Sequence, residues 1–175
     1  RIEKTALMQS SPDDIADLTA LALSTAIHDR TVSCREVMQA TLARIHRLNP
    51  DYNALIHLAA DDDLLAQADA RDTQLARGES MGWMHGLPIA IKDLAATAGI
   101  VTTLGSPLLK QNVPTEDAAM VSRIRRAGAI VIGKTNTPEW GLGSNTFNPV
   151  FGATGNAYHT AFTAGGSSGG AAGGD

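Results

Sequence analysis

Glycine is absent from residues 1–77, and all 17 glycines of the 175-residue chain lie between Gly78 and Gly174. The two halves therefore fold under different backbone regimes. In the glycine-free half apolar residues recur every three or four positions, which predicts helices. Ser11-Pro12-Asp13-Asp14 reads as a serine cap, a proline at the first helical position and acids in the first turn. It opens a helix through Ile15, Leu18, Leu21, Ala22 and Ile27 to Asp29-Arg30. Ser33 and Glu36 make a capping-box pattern, and Val37, Met38, Leu42, Ile45 and Leu48 line a second helix that Asn49-Pro50 is expected to stop. A third is expected from Ala59 to Ala76, with Asp61, Asp62 and Asp63 at its positive end. Consecutive helical residues point in different directions, so those carboxylates fit dipole compensation better than a cation site.

The glycine-bearing half changes period. Leu87-Pro88-Ile89-Ala90-Ile91-Lys92-Asp93 and Ala129-Ile130-Val131-Ile132-Gly133-Lys134 are short apolar runs ending in charge, the pattern of buried parallel strands whose ends emerge at a sheet edge. Between them Thr115-Glu116-Asp117 is expected to open a helix through Val121, Ile124 and Ala127 to Gly128. Strand, helix, strand predicts an α/β core with ligands where strand ends meet loops, the positions of Lys92 and Lys134. From Thr135 onward periodicity fades, and the chain reads as cut off in mid-fold; its first residue is Arg and not Met, which leaves room for an upstream segment.

Several function classes are disfavoured. A chain this long buries roughly 70% of its unfolded surface when compact, which argues against disorder. Fourteen basic against 18 acidic side chains, with no long run of like charge, give no electrostatic footprint for nucleic acid or an anionic membrane. No segment has the length of a membrane span, and the start lacks a signal-peptide core. The single cysteine, Cys34, and the lack of zinc-ligand spacing fit a reducing, cytoplasmic setting without a metal.

Gly128-Ala-Ile-Val-Ile-Gly133-Lys134-Thr135 matches the P-loop pattern, but its four central residues are a β-branched apolar strand and not a phosphate-cradling turn. Gly141-Leu-Gly143 fails the dinucleotide fingerprint because Thr146 stands where glycine is needed. The histidines His28, His46, His57, His85 and His159 show neither HExxH nor close pairing; three of them sit in or just after predicted helices, where structural or surface roles suit them, while His85, just before a strand, is placed where it could shape a site. Ala164-Gly165-Gly166-Ser167-Ser168-Gly169-Gly170 has two readings. It is linker-like in composition, or its glycines hold a catalytic serine beside backbone donors. The second reading requires a base, and Lys92 supplies one if a dry cleft lowers its pKa from the usual value near 10.4.

Five blocks in order carry a resemblance: His85-Gly86-Leu-Pro-Ile-Ala-Ile-Lys92-Asp93, Pro114-Thr-Glu-Asp117-Ala, Ala127 through Glu139, Asn148-Pro-Val-Phe-Gly152, and Gly165-Gly-Ser-Ser-Gly-Gly170. Together they resemble the amidase signature family. The resemblance implies an α/β/α fold with a mixed central sheet, of which this chain holds the N-terminal portion: residues 1–78 a helical segment and 79–175 the first part of the catalytic core, incomplete at its C-terminus. It further implies amide hydrolysis by a serine, a second serine in a cis peptide, and a lysine. Carried over by position, Lys92 is the base and Ser167 the bridging cis-serine, with Ser168, Gly165 and Gly166 in support.

The implied nucleophile and oxyanion hole stand further along the chain, past Asp175, so this polypeptide alone is expected to be inactive. Gly155-Asn-Ala-Tyr158, Phe162 and Ala164 depart from the family pattern in the loop before Ser167. No cofactor or metal is expected. The expected partners are a small-molecule amide and either a second copy of the chain or the complementary C-terminal part of the same enzyme. The nearest alternative is the amidase-like subunit that releases ammonia for glutamine-dependent tRNA amidation, although Pro138-Glu-Trp-Gly141 looks more like the general amidases. A non-catalytic interaction module is the alternative from another class.

Overall fold

The computed structural model describes residues 12–173, so the Ser11 cap and the last glycine, Gly174, lie outside the described residues. The elements in chain order are α1 (Pro12–Ala16), α2 (Ala20–His28), α3 (Cys34–Tyr52), β1 (Leu55–Ile56), α4 (Asp61–Ala76), β2 (Pro88–Lys92), α5 (Ala119–Arg126), β3 (Ile130–Thr135), β4 (Phe147–Asn148), β5 (Gly152–Ala153) and α6 (Gly169–Ala172). Among the described residues no helix is long and apolar enough to cross a membrane. The residues form two compact units, one from 12–46, Ala60–Ile89 and Arg123–Val131, the other from Arg47–Ala59, Ala90–Ser122 and 132–173.

The first unit is held by an apolar core. Val37, Met38, Leu42 and Ile45 of α3, Leu64, Ala68 and Leu75 of α4, and Ile27 of α2 are all buried, as the three- and four-residue spacing requires. The predicted capping box is present: Ser33 donates its backbone NH to Glu36 Oε2 at 2.8 Å, and Glu36 returns its NH to Ser33 Oγ at 3.1 Å. Asp72 on α4 adds a second cap, accepting the backbone NH groups of Cys34 and Arg35 at 2.7 and 3.1 Å. Burial, with that carboxylate beside it, pushes the Cys34 thiol up to about 12, which leaves it inert.

Cys34 also sets a limit on Gly86. Gly86 has a φ of +77°, and an added Cβ would penetrate the Cys34 side chain. Gly86→Ala is therefore expected to destabilise the fold by about 2–4 kcal/mol in denaturant unfolding, combining left-handed strain with overpacking. Adding Cys34→Ala should recover part of that loss; a Gly86→Ala protein as stable as the wild type would refute the account.

The predicted first helix is interrupted. Thr19 is extended at φ −62°, ψ 154°, and its hydroxyl accepts the Ala22 NH at 3.2 Å, so a fresh N-cap opens α2. Leu21, counted on the apolar face, is 76% exposed in consequence. Asn49-Pro50 does not stop α3, which runs on to Tyr52 with Pro50 inside it. Termination comes from Asn53, at φ +49°, while Asn49 Oδ1 accepts the NH groups of Ala54 and Leu55 at 3.0 and 2.8 Å. Likewise α5 begins at Ala119 and not at Thr115, because the Asp117 carboxylate is used as a loop anchor, accepting the Ala98 NH at 2.7 Å.

The sheet order is β1-β3-β2. Ile130 donates to the Leu87 carbonyl at 2.9 Å and Asp93 to the Thr135 carbonyl at 3.1 Å, so β2 and β3 run the same way. β1 pairs antiparallel with β3, Leu55 opposite Thr135 and Ile56 opposite Lys134, which makes the sheet mixed, as expected for this α/β class. The stretch beyond Thr135 is not featureless: β4 and β5 pair antiparallel, and isolated bridges join Asn145 to Gly165 and Gly155 to Thr163. Asn53 ties the second unit across nearly a hundred residues, donating from Nδ2 to the carbonyls of Phe151 and Ala153 at 2.7 and 3.0 Å, while Thr154 Oγ1 donates to the Asn53 carbonyl at 2.8 Å.

Candidate active site

Strand β2 ends at Lys92, and its ammonium meets the Gly/Ser segment. Lys92 Nζ lies 2.8 Å from Ser167 Oγ and 2.9 Å from Ser168 Oγ. The Gly166–Ser167 peptide is cis. Lys92 is half-buried, and burial lowers its pKa from the ordinary lysine value. A lysine with a lowered pKa holds more neutral amine near neutrality, and the neutral amine is the form that accepts a proton from a hydroxyl. The contact of Lys92 with Ser167 and Ser168 distinguishes the segment from a free linker, since a linker has no partner to meet.

The neighbouring residue faces the other way, as strand alternation demands. Asp93 is fully buried, and its carboxylate accepts the Thr103 NH at 3.1 Å and the Thr103 hydroxyl at 2.5 Å. Lys134, expected to emerge at a strand end like Lys92, is instead fully buried. Its Nζ donates to the Ala95 carbonyl at 2.5 Å, Thr97 Oγ1 at 2.8 Å and Thr102 Oγ1 at 3.2 Å, which uses all three ammonium donors. Desolvation lowers its pKa to about 8, against the opposing pull of Asp93 and Asp117. The two lysines lie at the end of β2 and one residue before the end of β3, yet one contacts serine hydroxyls and the other fastens a loop.

A buried polar network surrounds the serine segment. Thr137 Oγ1 donates to the Ser167 carbonyl at 3.3 Å, and Thr146 Oγ1 donates to the Gly165 carbonyl at 3.2 Å while accepting the Gly169 NH at 2.9 Å. Asn148 Nδ2 donates to Asn136 Oδ1 and to the Thr137 carbonyl, both at 2.7 Å. Sequence reasoning missed Thr137, Thr146, Asn136 and Asn148 as site residues; the quoted blocks around Lys134 and Asn148 held the only hint. Gly165 and Gly166 flank the contact through their backbone, Gly166 donating to the Ser144 carbonyl at 2.6 Å.

His85 is buried away from solvent with Nδ1 accepting the Met81 NH at 3.1 Å and Nε2 2.9 Å from the Arg71 carbonyl, a structural arrangement. Among the described residues no group of three His, Cys, Asp or Glu side chains is placed to hold a metal ion. A cavity of about 290 Å³ in the first unit, lined by Ile27, Arg30, Glu36, Asp72 and Leu75 among others, includes none of the predicted site residues.

A family model described as Amidase matches residues 36–173. A glutamyl-tRNA(Gln) amidotransferase subunit from Acidothermus cellulolyticus is 43% identical over 159 residues, covering 91% of this chain and 31% of that protein. Among solved structures, the native peptide amidase of Stenotrophomonas maltophilia superposes with a TM-score of 0.82 at 33% identity, over 90% of this chain and 33% of its own. A fatty acid amide hydrolase superposes with a TM-score of 0.86 at 26% identity, over 97% of this chain and 30% of its own. The chain thus spans about a third of the length of the relatives it matches.

Proposed function

The chain belongs to the amidase family, and from that premise we propose that it is the N-terminal part of an amidase, supplying the lysine base and bridging serine of a carboxamide-cleaving site. The observation that carries this reading is the contact of the half-buried Lys92 amine with Ser167 Oγ at 2.8 Å. Neutral Lys92 takes the Ser167 proton as Ser167 takes the proton of a nucleophilic serine, whose oxygen attacks the amide carbon. The relay runs back to protonate the departing nitrogen as the C–N bond breaks, and water then cleaves the acyl-enzyme to a carboxylic acid. In this reading the nucleophile and the oxyanion donors stand beyond Asp175, Ser168 orders the loop by its contact with Lys92, and the 175 residues alone do not turn over substrate. The substrate is a small amide, no cofactor takes part, and the enzyme works in the cytoplasm.

The test is ammonia or amine release from a panel of carboxamides by the complete gene product across pH. The rate should rise with pH along a limb whose midpoint lies below the ordinary lysine value of about 10.4, because the base must lose its proton first. No hydrolysis of any amide, or a rate with no such limb, would count against the reading. A second reading, the amidase-like component of a glutamyl-tRNA(Gln) amidotransferase, is favoured by the 43% identity to such a component. Dependence of ammonia release on added partner proteins would select it over a free-standing amidase.

A further inference from the structure

A segment of sequence Gly-Gly-Ser-Ser-Gly-Gly has little intrinsic reason to hold one conformation, since glycine gives up more backbone freedom on ordering than any other residue. Something outside the segment must fix it. Thr146 is fully buried, and its hydroxyl reaches both limbs of the segment. It donates to the carbonyl of Gly165, two residues before Ser167, and accepts the NH of Gly169, two residues after. A threonine hydroxyl has one proton to give, so its donor is committed to Gly165 and its lone pair to Gly169. The fit is close: a side chain at Gly169 would collide with Thr146 Oγ1, so the hydroxyl occupies the space that a Cβ would fill. Thr137 adds a third hold, on the carbonyl of Ser167 itself, and is in turn held through its own carbonyl by Asn148 Nδ2.

We propose that Thr146, assisted by Thr137, is a positioning residue that fixes the Ser167 hydroxyl against the Lys92 amine. The inference rests on the reading of Lys92 and Ser167 as a proton relay, and it adds a group that touches neither the amine nor the Ser167 hydroxyl. Replacing Thr146 by valine keeps the shape but strands the buried NH of Gly169 and removes the hold on the part-buried Gly165 carbonyl, on opposite sides of Ser167. The segment then relaxes, the distance from Lys92 Nζ to Ser167 Oγ varies, and water gains access to the amine. A misplacement on the order of 1 Å costs about a hundredfold in rate. A better hydrated Lys92 also regains an ordinary lysine pKa, because burial is what lowers it.

The experiment compares Thr146→Val, Thr146→Ser, Thr137→Val and Lys92→Ala in the complete gene product, measuring kcat, KM, the pH profile of amide hydrolysis and the unfolding midpoint. Thr146→Val should lose about 10–100-fold in kcat with KM little changed, and its acid limb should move to higher pH. Thr146→Ser, which keeps the hydroxyl, should recover most of the rate and the original limb. If Thr146→Val does not fold, Thr137→Val decides, with about a tenfold loss in kcat and the same direction of pH displacement expected. A folded valine variant with unchanged kcat and pH profile, beside an inactive Lys92→Ala, overturns the positioning role alone. Activity persisting in Lys92→Ala instead overturns the relay on which it rests.

Discussion

Replacing Lys92 by alanine in the complete gene product is expected to lower amide hydrolysis by about 10²–10⁴-fold, the range set by loss of a general base. Ser167→Ala should fall in the same range, because the amine then has no hydroxyl through which to reach the nucleophile. The double variant should be no worse than the weaker single one, since residues acting as one relay do not contribute additively. Folding should be largely spared: Lys92 is half-buried and its Nζ bonds only hydroxyls that water can also serve. Rates within a few-fold of wild type in either single variant, measured as kcat on the best amide found, would dismiss the relay.

Lys134→Ala is expected to do the reverse, unfolding the protein before it touches chemistry. The change empties a fully buried site and leaves the Ala95 carbonyl and the Thr97 and Thr102 hydroxyls without their shared donor. Cavity and orphaned acceptors together cost about 3–5 kcal/mol. Lys134→Met keeps most of the volume and should cost less. The pH dependence has a definite sign. With a folded pKa of about 8 against 10.5 unfolded, the unfolded chain binds the proton more tightly, so stability rises with pH between those values. Fully expressed, that shift is worth about 3 kcal/mol. Denaturant unfolding at pH 7.5, 9 and 10.5 should show the rise in wild type relative to Lys134→Met. A wild type and a methionine variant with parallel pH profiles would show that Lys134 does not titrate there.

These two lysines also mark where sequence reasoning reached its limit. The runs Leu87–Asp93 and Ala129–Lys134 are legible as strands because apolar β-branched residues between turn signals leave few other folds, and both appear as β2 and β3. The Ser33–Glu36 cap is legible for a similar local reason, the pairing of two side chains three residues apart. What separates Lys92 from Lys134 is burial, a tertiary property, and the two read alike along the chain. The same holds for Thr137, Thr146 and Asn148: polar residues in a glycine-rich stretch look solvated until the partners that bury them are known. β1 is not legible along the chain because two residues carry no period, nor is the break at Thr19, because one side-chain cap outweighs a continuous apolar pattern.

The hold of Asn53 on Phe151 and Ala153 bears on the order in which the chain is made. At a synthesis rate of roughly 5–20 residues per second, the carbonyls that receive its amide leave the ribosome about 5–20 s after Asn53 does. β1, two residues further on, waits as well for its partner β3. A growing polypeptide therefore carries α3 out into solvent with its following strand unpaired, while α2, α3 and α4 already have their apolar neighbours. The helical segment is in a position to assemble during translation, the β1 edge joins once β3 has followed, and Asn53 is fixed last, when the β4–β5 hairpin has been made.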